Sequence, residues 1–209
     1  MKKQKELRDE ILTLTKEYFE QYHGKKEFIP KKSYVNYSGR FFDHNEGVNL
    51  IKSALDFWLT SGEYVKEFEK KFSKYLDIRS VMLTNSGSSA NLLSLSALTS
   101  EKLQSKKLVP GDEVITVAAG FPTTINPIYQ NNLVPVFLDV DLKTGNIDCA
   151  TLEDAYSSKT KAIILAHSLG NPFDVKTILD FVKSKGLWLI EDNCDALGST
   201  WDGKLTGTF

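Results

Sequence analysis

Apolar residues recur at spacings of three and four between residues 5 and 22, at Leu7, Ile11, Leu14, Tyr18 and Tyr22, which predicts an amphipathic helix. Its apolar face is expected to dock on a partner surface. From Gly24 to Arg40 the period is lost in a Lys-rich stretch holding Pro30, Ser33, Asn36, Ser38 and Gly39. That composition reads as a loop, either a solvated connector or an arm lending Lys or Arg to a phosphorylated ligand. Further helices are predicted over about 43–59 and 64–76, the latter with Val65, Phe68, Phe72 and Tyr75 on one face, with Thr60-Ser61-Gly62 as the turn between them.

The pattern then changes. Ser80–Thr84 reads as a short strand that runs into Asn85-Ser86-Gly87-Ser88-Ser89-Ala90-Asn91 and an apolar helix from Leu92 to Leu98. Beyond the turn at 108–112, strands are predicted at 113–118, 134–140, 162–166 and 187–192. Helices are predicted from about Gly120 to Asn131, over 151–157 and over 175–185. Strands alternating with helices at this spacing argue for an α/β domain, a mostly parallel sheet with helices on both faces. Right-handed crossovers place Gly87, Phe121, His167 and Asp192 along one sheet edge.

Composition changes this picture little but excludes several classes. The chain is 41% hydrophobic and 25% charged, as in an ordinary globular protein, and its net charge of −1 gives no general attraction to nucleic acid. Cys149 and Cys194 are the only cysteines, without CxxC or zinc spacing, so no metal site is expected and a reduced, cytoplasmic setting fits. The N-terminus lacks a signal peptide's apolar core, and no apolar run approaches the ~20 residues that cross a bilayer, so no membrane insertion is expected.

Four places along the sheet edge carry candidate chemistry. A strand, then glycine with hydroxyl residues, then a helix offers free N–H groups and a helix dipole to an anion. The P-loop and GxGxxG spacings are absent, and Ser88 and Ser89 can equally cap the helix. Asp192 closes the run Leu187-Trp188-Leu189-Ile190-Glu191-Asp192, at the strand end where ligands bind in open α/β sheets. There a carboxylate can hold a cationic ring nitrogen or a metal, or cap the next helix. Phe121 can be core, and His167 a satisfied polar residue. One flat, anionic, nitrogen-containing cofactor accounts for all four.

Through Thr84–Leu93 (TNSGSSANLL), Gly111–Pro127 (GDEVITVAAGFPTTINP) and Ile190–Phe209 (IEDNCDALGSTWDGKLTGTF), the chain resembles the DegT/DnrJ/EryC1/StrS sugar aminotransferase family of fold type I pyridoxal-phosphate enzymes. Within it, the resemblance is to the CDP-4-keto-6-deoxyglucose 3-dehydrase branch. It implies the large domain of an aspartate aminotransferase-like, PLP-dependent transferase fold. Residues 1–60 are then N-terminal helices and arm, and 61–209 the first part of the PLP-binding domain.

Carried over residue by residue, the resemblance makes Gly87, Ser88 and Ser89 the phosphate cradle, lays Phe121 on the pyridine ring and pairs Asp192 with the ring nitrogen. Asp195 stands near the cofactor's 3-hydroxyl, where the wider family has Gln or His. His167 and Asn171 are implied as substrate contacts. The branch uses pyridoxamine 5′-phosphate, has a histidine where aminotransferases keep the cofactor lysine, and removes the C3 hydroxyl of a CDP-sugar on the way to 3,6-dideoxyhexoses of lipopolysaccharide. The resemblance further implies a homodimer, a [2Fe–2S] cluster in the full-length protein and an NADH-dependent iron–sulfur flavoprotein reductase as partner. The Lys-or-His position, the catalytic base, the cluster cysteines and the C-terminal domain are expected beyond Phe209, so the chain reads as a truncated N-terminal part. A sugar-nucleotide aminotransferase and an inactive remnant are the alternatives.

Overall fold

The computed structural model describes residues 3–24, 27–36 and 39–209. Two compact units divide the chain, Met1–Lys66 and Glu67–Phe209.

In the first unit α1 (Gln4–Tyr22) lies against α2 (His44–Asp56). The predicted first helix thus finds a partner within its own chain, while Leu7, Leu14, Tyr18 and Tyr22 stay exposed on it. The crossing is close because α2 carries Gly47, where a Cβ would lie 2.4 Å from the Phe19 ring. Asp43 starts α2 by accepting the Asn45 N–H at 2.6 Å, and Glu46 returns a bond to the Asp43 N–H at 2.8 Å, a capping box. The helix stops at Asp56, three residues short of expectation, because Phe57 turns left-handed at φ 48°. Of the loop expected over 24–40, residues 25–26 and 37–38, with Ser38, lie outside the described residues.

α3 (Glu63–Leu76) leads into the second unit. There α4 (Gly87–Ala97), β1 (Glu113–Val117), α5 (Pro122–Gln130), β2 (Val134–Leu138), α6 (Leu152–Ala155), β3 (Thr160–Ala166), α7 (Val175–Lys185) and β4 (Trp188–Asp192) follow in order. The four strands form one parallel sheet in the order β2-β1-β3-β4. Because β3 is covered on both faces beyond Lys161, its run from Ala162 to Ala166 is apolar. Ile163 and Leu165 pack with Ile115, Ile178 and Phe181 on one side, and Ala162 and Ile164 with Val114, Leu95 and Ile128 on the other. Each such Ile or Leu contributes on the order of 2 kcal/mol over its exposed state. α7 is bounded by its sequence signals, Asp174 accepting from the Thr177 N–H and Gly186 at φ 67° closing the helix.

Two expectations are corrected. Ser80–Thr84 forms no strand: the Leu83 N–H goes to the Glu69 carboxylate at 2.8 Å instead of to a sheet neighbour, and Met82 is 74% exposed. The helix expected at Leu92 begins five residues earlier, at Gly87, because Ser86 and not Ser88 or Ser89 is its cap. A short hairpin, β5 (Thr200–Trp201) with β6 (Lys204–Leu205), follows the sheet. Among the described residues no helix is long and apolar enough to cross a membrane.

Candidate cofactor site

β4 ends in two adjacent carboxylates, and the alternation of a strand sends them to opposite faces. Asp192, 9% exposed, turns toward α4 and α5. Its Oδ2 accepts the Asn91 amide at 2.8 Å and the Thr124 hydroxyl at 2.7 Å, while Oδ1 accepts the Cys194 N–H at 3.2 Å. No helix follows: residues 193–199 are turns. Asp192 is therefore not a helix cap, and its one local bond, to Cys194, is an Asx turn.

The start of α4 stands beside this carboxylate. Ser86 accepts the Ser89 N–H at 3.2 Å, and its carbonyl takes the Ala90 N–H at 3.0 Å. The N–H groups of Gly87 and Ser88, in the first turn, have no partner within the helix. A Cβ on Gly87 would meet only Cys194 Sγ, at 3.8 Å, so the helix start borders the turn that follows Asp192. Phe121 is the N-cap residue of α5, the helix that supplies Thr124, and its ring is 69% exposed.

Asp195 is exposed in the same turn region as Cys194. The Cys194 thiol is pushed up by burial, with the charges of Asp192 and Asp195 adding to the effect.

Of the two residues expected to contact substrate, His167 is buried and Asn171 is exposed. His167 does end β3 at the same sheet edge, its N–H donating to the Asp192 carbonyl at 3.1 Å, but its ring is 0% exposed. Nε2 lies 3.0 Å from Glu191 Oε2, Nδ1 takes the Phe173 N–H at 3.4 Å, and the ring stacks on Phe173 at 4.2 Å. With Nδ1 accepting, Nε2 carries the proton and donates it to Glu191. Every polar atom of the ring is used internally, so substrate contact through it is set aside. Asn171 is exposed; its side-chain NH2 donates to the Thr144 carbonyl at 3.1 Å and its backbone carbonyl accepts from the Asn146 side chain at 3.0 Å, which ties it to the 141–146 loop.

Sequence reasoning passed over three residues here. Asn91 and Thr124 hold Asp192, and the signal for Asn91 was its position one helical turn beyond Gly87. Glu191 was the other. Besides His167 it accepts the N–H groups of Gly207 at 2.9 Å and Phe209 at 2.8 Å. Burial acts to raise its carboxyl, and the bonds from His167, Gly207 and Phe209 outweigh burial and hold it below the usual glutamate range.

The sequence profile of the DegT/DnrJ/EryC1/StrS aminotransferase family matches residues 43–209, which include every residue of this site. The chain belongs to that family. It is 48% identical over 203 residues to the lipopolysaccharide biosynthesis protein RfbH of Salmonella typhimurium, covering 97% of this chain and 46% of that protein. It is 47% identical over 205 residues to the dTDP-4-dehydro-2,6-dideoxy-D-glucose 3-dehydratase of Saccharopolyspora spinosa, covering 97% of this chain and 44% of the relative. Among solved structures, the E. coli GDP-4-keto-6-deoxy-D-mannose-3-dehydratase with bound hydrated PLP superposes with a TM-score of 0.75 at 38% identity, covering 84% of this chain and 45% of that one. The fold is thus that of the PLP-dependent sugar aminotransferases and dehydratases, and the chain spans about half the length of the relatives it matches.

Proposed function

We propose that this chain carries the cofactor-binding part of a PLP/PMP-dependent nucleotide-sugar 3-dehydratase, acting in dideoxysugar and lipopolysaccharide biosynthesis. The observation that carries the reading is Asp192: a buried carboxylate at the C-terminal end of a parallel strand, held by neutral donors, with a single backbone partner for Oδ1 among the described residues. Two relatives at nearly half identity, a lipopolysaccharide biosynthesis protein and a sugar 3-dehydratase, support it.

The donor set suits a pyridoxal or pyridoxamine phosphate. Asp192 is the partner for the ring nitrogen, the Gly87 and Ser88 N–H groups with the Ser89 hydroxyl hold the phosphate, and Phe121 covers the ring. Gly87 matters through its openness, since only a sulfur at 3.8 Å approaches where a side chain would start. Asp195, exposed in the same turn, is the residue we assign to the ring's 3-hydroxyl. When bound, the protonated ring supplies an electron sink beside the sugar. The chain's own part is to keep that ring charged: a carboxylate next to the nitrogen favours its protonated form.

We extend the proposal to a CDP-4-keto-6-deoxyglucose substrate, a homodimer, a reductase partner and a cytoplasmic setting, on the strength of the TNSGSSANLL and IEDNCDALGSTWDGKLTGTF segments. A two-iron cluster takes about four thiolates. Cys149 and Cys194 are the only cysteines among these 209 residues, two short of that set. We therefore place the cluster, and the acid–base group that handles the C3 proton, outside these residues, and expect this chain alone to bind cofactor without turning over substrate.

The test is binding and turnover. The 209-residue chain should bind pyridoxamine 5′-phosphate in a titration, and the full-length enzyme should remove the C3 hydroxyl of a CDP-4-keto-6-deoxyhexose, read by mass spectrometry. Glutamate-dependent amination at C4 instead would make it an aminotransferase. Absence of cofactor binding would leave a remnant.

A further inference from the structure

The Asp192 carboxylate is gripped on one oxygen by two different helices. Asn91 from α4 and Thr124 from α5 both meet Oδ2, and the only bond to Oδ1 among the described residues is the Cys194 N–H at 3.2 Å. A carboxylate oxygen accepts two hydrogen bonds readily, so Oδ2 is filled and Oδ1 keeps an open lone pair.

The orientation of Asn91 is determined by its surroundings. Its Nδ2 lies 2.8 Å from Asp192 Oδ2 and 3.3 Å from the Thr123 carbonyl, and both of those atoms only accept. The NH2 end must therefore face Asp192. Asn91 is itself 8% exposed and Thr124 3%, so neither side chain can swing into solvent and let the carboxylate turn. Both donors are also neutral. A lysine or arginine here would cancel the charge of Asp192 and compete with a pyridinium for it, whereas an amide and a hydroxyl fix the group and leave the charge available.

We propose that Asn91 is a positioning residue for Asp192: together with Thr124 it pins Oδ2, so that Oδ1 is the oxygen offered to the cofactor's ring nitrogen. The inference rests on the cofactor reading above and goes beyond it by assigning the geometry of the Asp192 contact to α4 and α5.

The experiment measures, on the 209-residue chain, the affinities for pyridoxamine 5′-phosphate and for its 1-deaza analogue, in which the ring nitrogen is replaced by C–H. Their ratio isolates the Asp192–nitrogen contact, because a partly unfolded sample loses both ligands equally. The unsubstituted chain should prefer the nitrogen-containing ligand, and Asp192→Asn should erase the preference. Asn91→Leu should reduce it by about tenfold, the equilibrium equivalent of one hydrogen bond to a charged group. Thr124→Val, nearly the same shape as threonine, should reduce it similarly and serves as the second variant if Asn91→Leu does not fold. Full discrimination by the variants overturns the role of Asn91 and leaves the cofactor reading standing. Failure of the unsubstituted chain to bind either ligand, or equal affinity for both, overturns the cofactor reading and this inference with it.

Discussion

His167 and Glu191 form a buried pair, Nε2 lying 3.0 Å from Oε2 with side-chain exposures of 0% and 5%. The same carboxylate takes the Gly207 and Phe209 N–H groups, so one side chain fastens the end of β3 and the 207–209 segment to β4. Removing its charge leaves those donors short of a strong acceptor. Glu191→Gln should cost about 2–4 kcal/mol of unfolding free energy in urea. A cost below about 0.5 kcal/mol would show that the clasp contributes nothing.

The same group sets an acid limit. Its folded pKa lies below the ordinary glutamate value of 4.5, so its contribution is fully present above that value and is lost as pH falls through the folded pKa. Thermal unfolding followed from pH 7 downward should show the native protein losing stability below about pH 4.5, and Glu191→Gln should flatten part of that slope. Identical slopes would mean that other carboxylates govern acid unfolding.

Asp192→Asn keeps the size of the side chain and a carbonyl able to accept from Asn91 and Thr124, and deletes the charge. Cofactor affinity should fall by at least tenfold, and full-length turnover by orders of magnitude, because an electron sink depends on a protonated ring. The unfolding midpoint should move little. Near-normal turnover in Asp192→Asn would remove the pyridine-nitrogen role.

Phe121→Ala removes a ring that is already 69% exposed, so stability should change by less than about 0.5 kcal/mol. Pyridoxamine phosphate affinity should fall about three- to tenfold, the scale of one stacking contact. Isothermal titration separates the two effects.

Gly47→Ala should open the first unit, since the added carbon would meet the Phe19 ring at 2.4 Å. A loss of about 1–3 kcal/mol is expected, visible as faster proteolysis within α1. The Phe19→Ala partner substitution should relieve the overlap, giving a double variant less impaired than the sum of the singles.

The sheet was legible in the sequence because its strands are covered on both faces and read as continuous apolar runs, as at Ala162–Leu165. Ser80–Thr84 has the same local look, but a strand also needs a neighbour, and Glu69 took the Leu83 N–H instead. The helix beginning at Gly87 was placed too late because Ser86, Ser88 and Ser89 all satisfy the capping rule, and it is Ser86 that accepts the Ser89 N–H. The β5–β6 hairpin had its signal in Asp202-Gly203, both at positive φ, the residues a tight hairpin turn favours. His167 and Asp192 were correctly placed at one edge, but which of them faces a ligand depends on side-chain partners 24 and 101 residues away in sequence, which no local pattern carries.

The two carboxylates that end β4 make its alignment an all-or-nothing matter. The ladder from Ala162↔Trp188 to Ala166↔Asp192 admits one setting in which the shorter acid meets Asn91 and Thr124 and the longer one meets His167. A slip of one residue would exchange the faces, turning Glu191 into a space sized for Asp192 and away from the imidazole of His167. Errors of strand pairing in this protein are thus self-rejecting, and a chain that has folded its sheet has also aimed its acid.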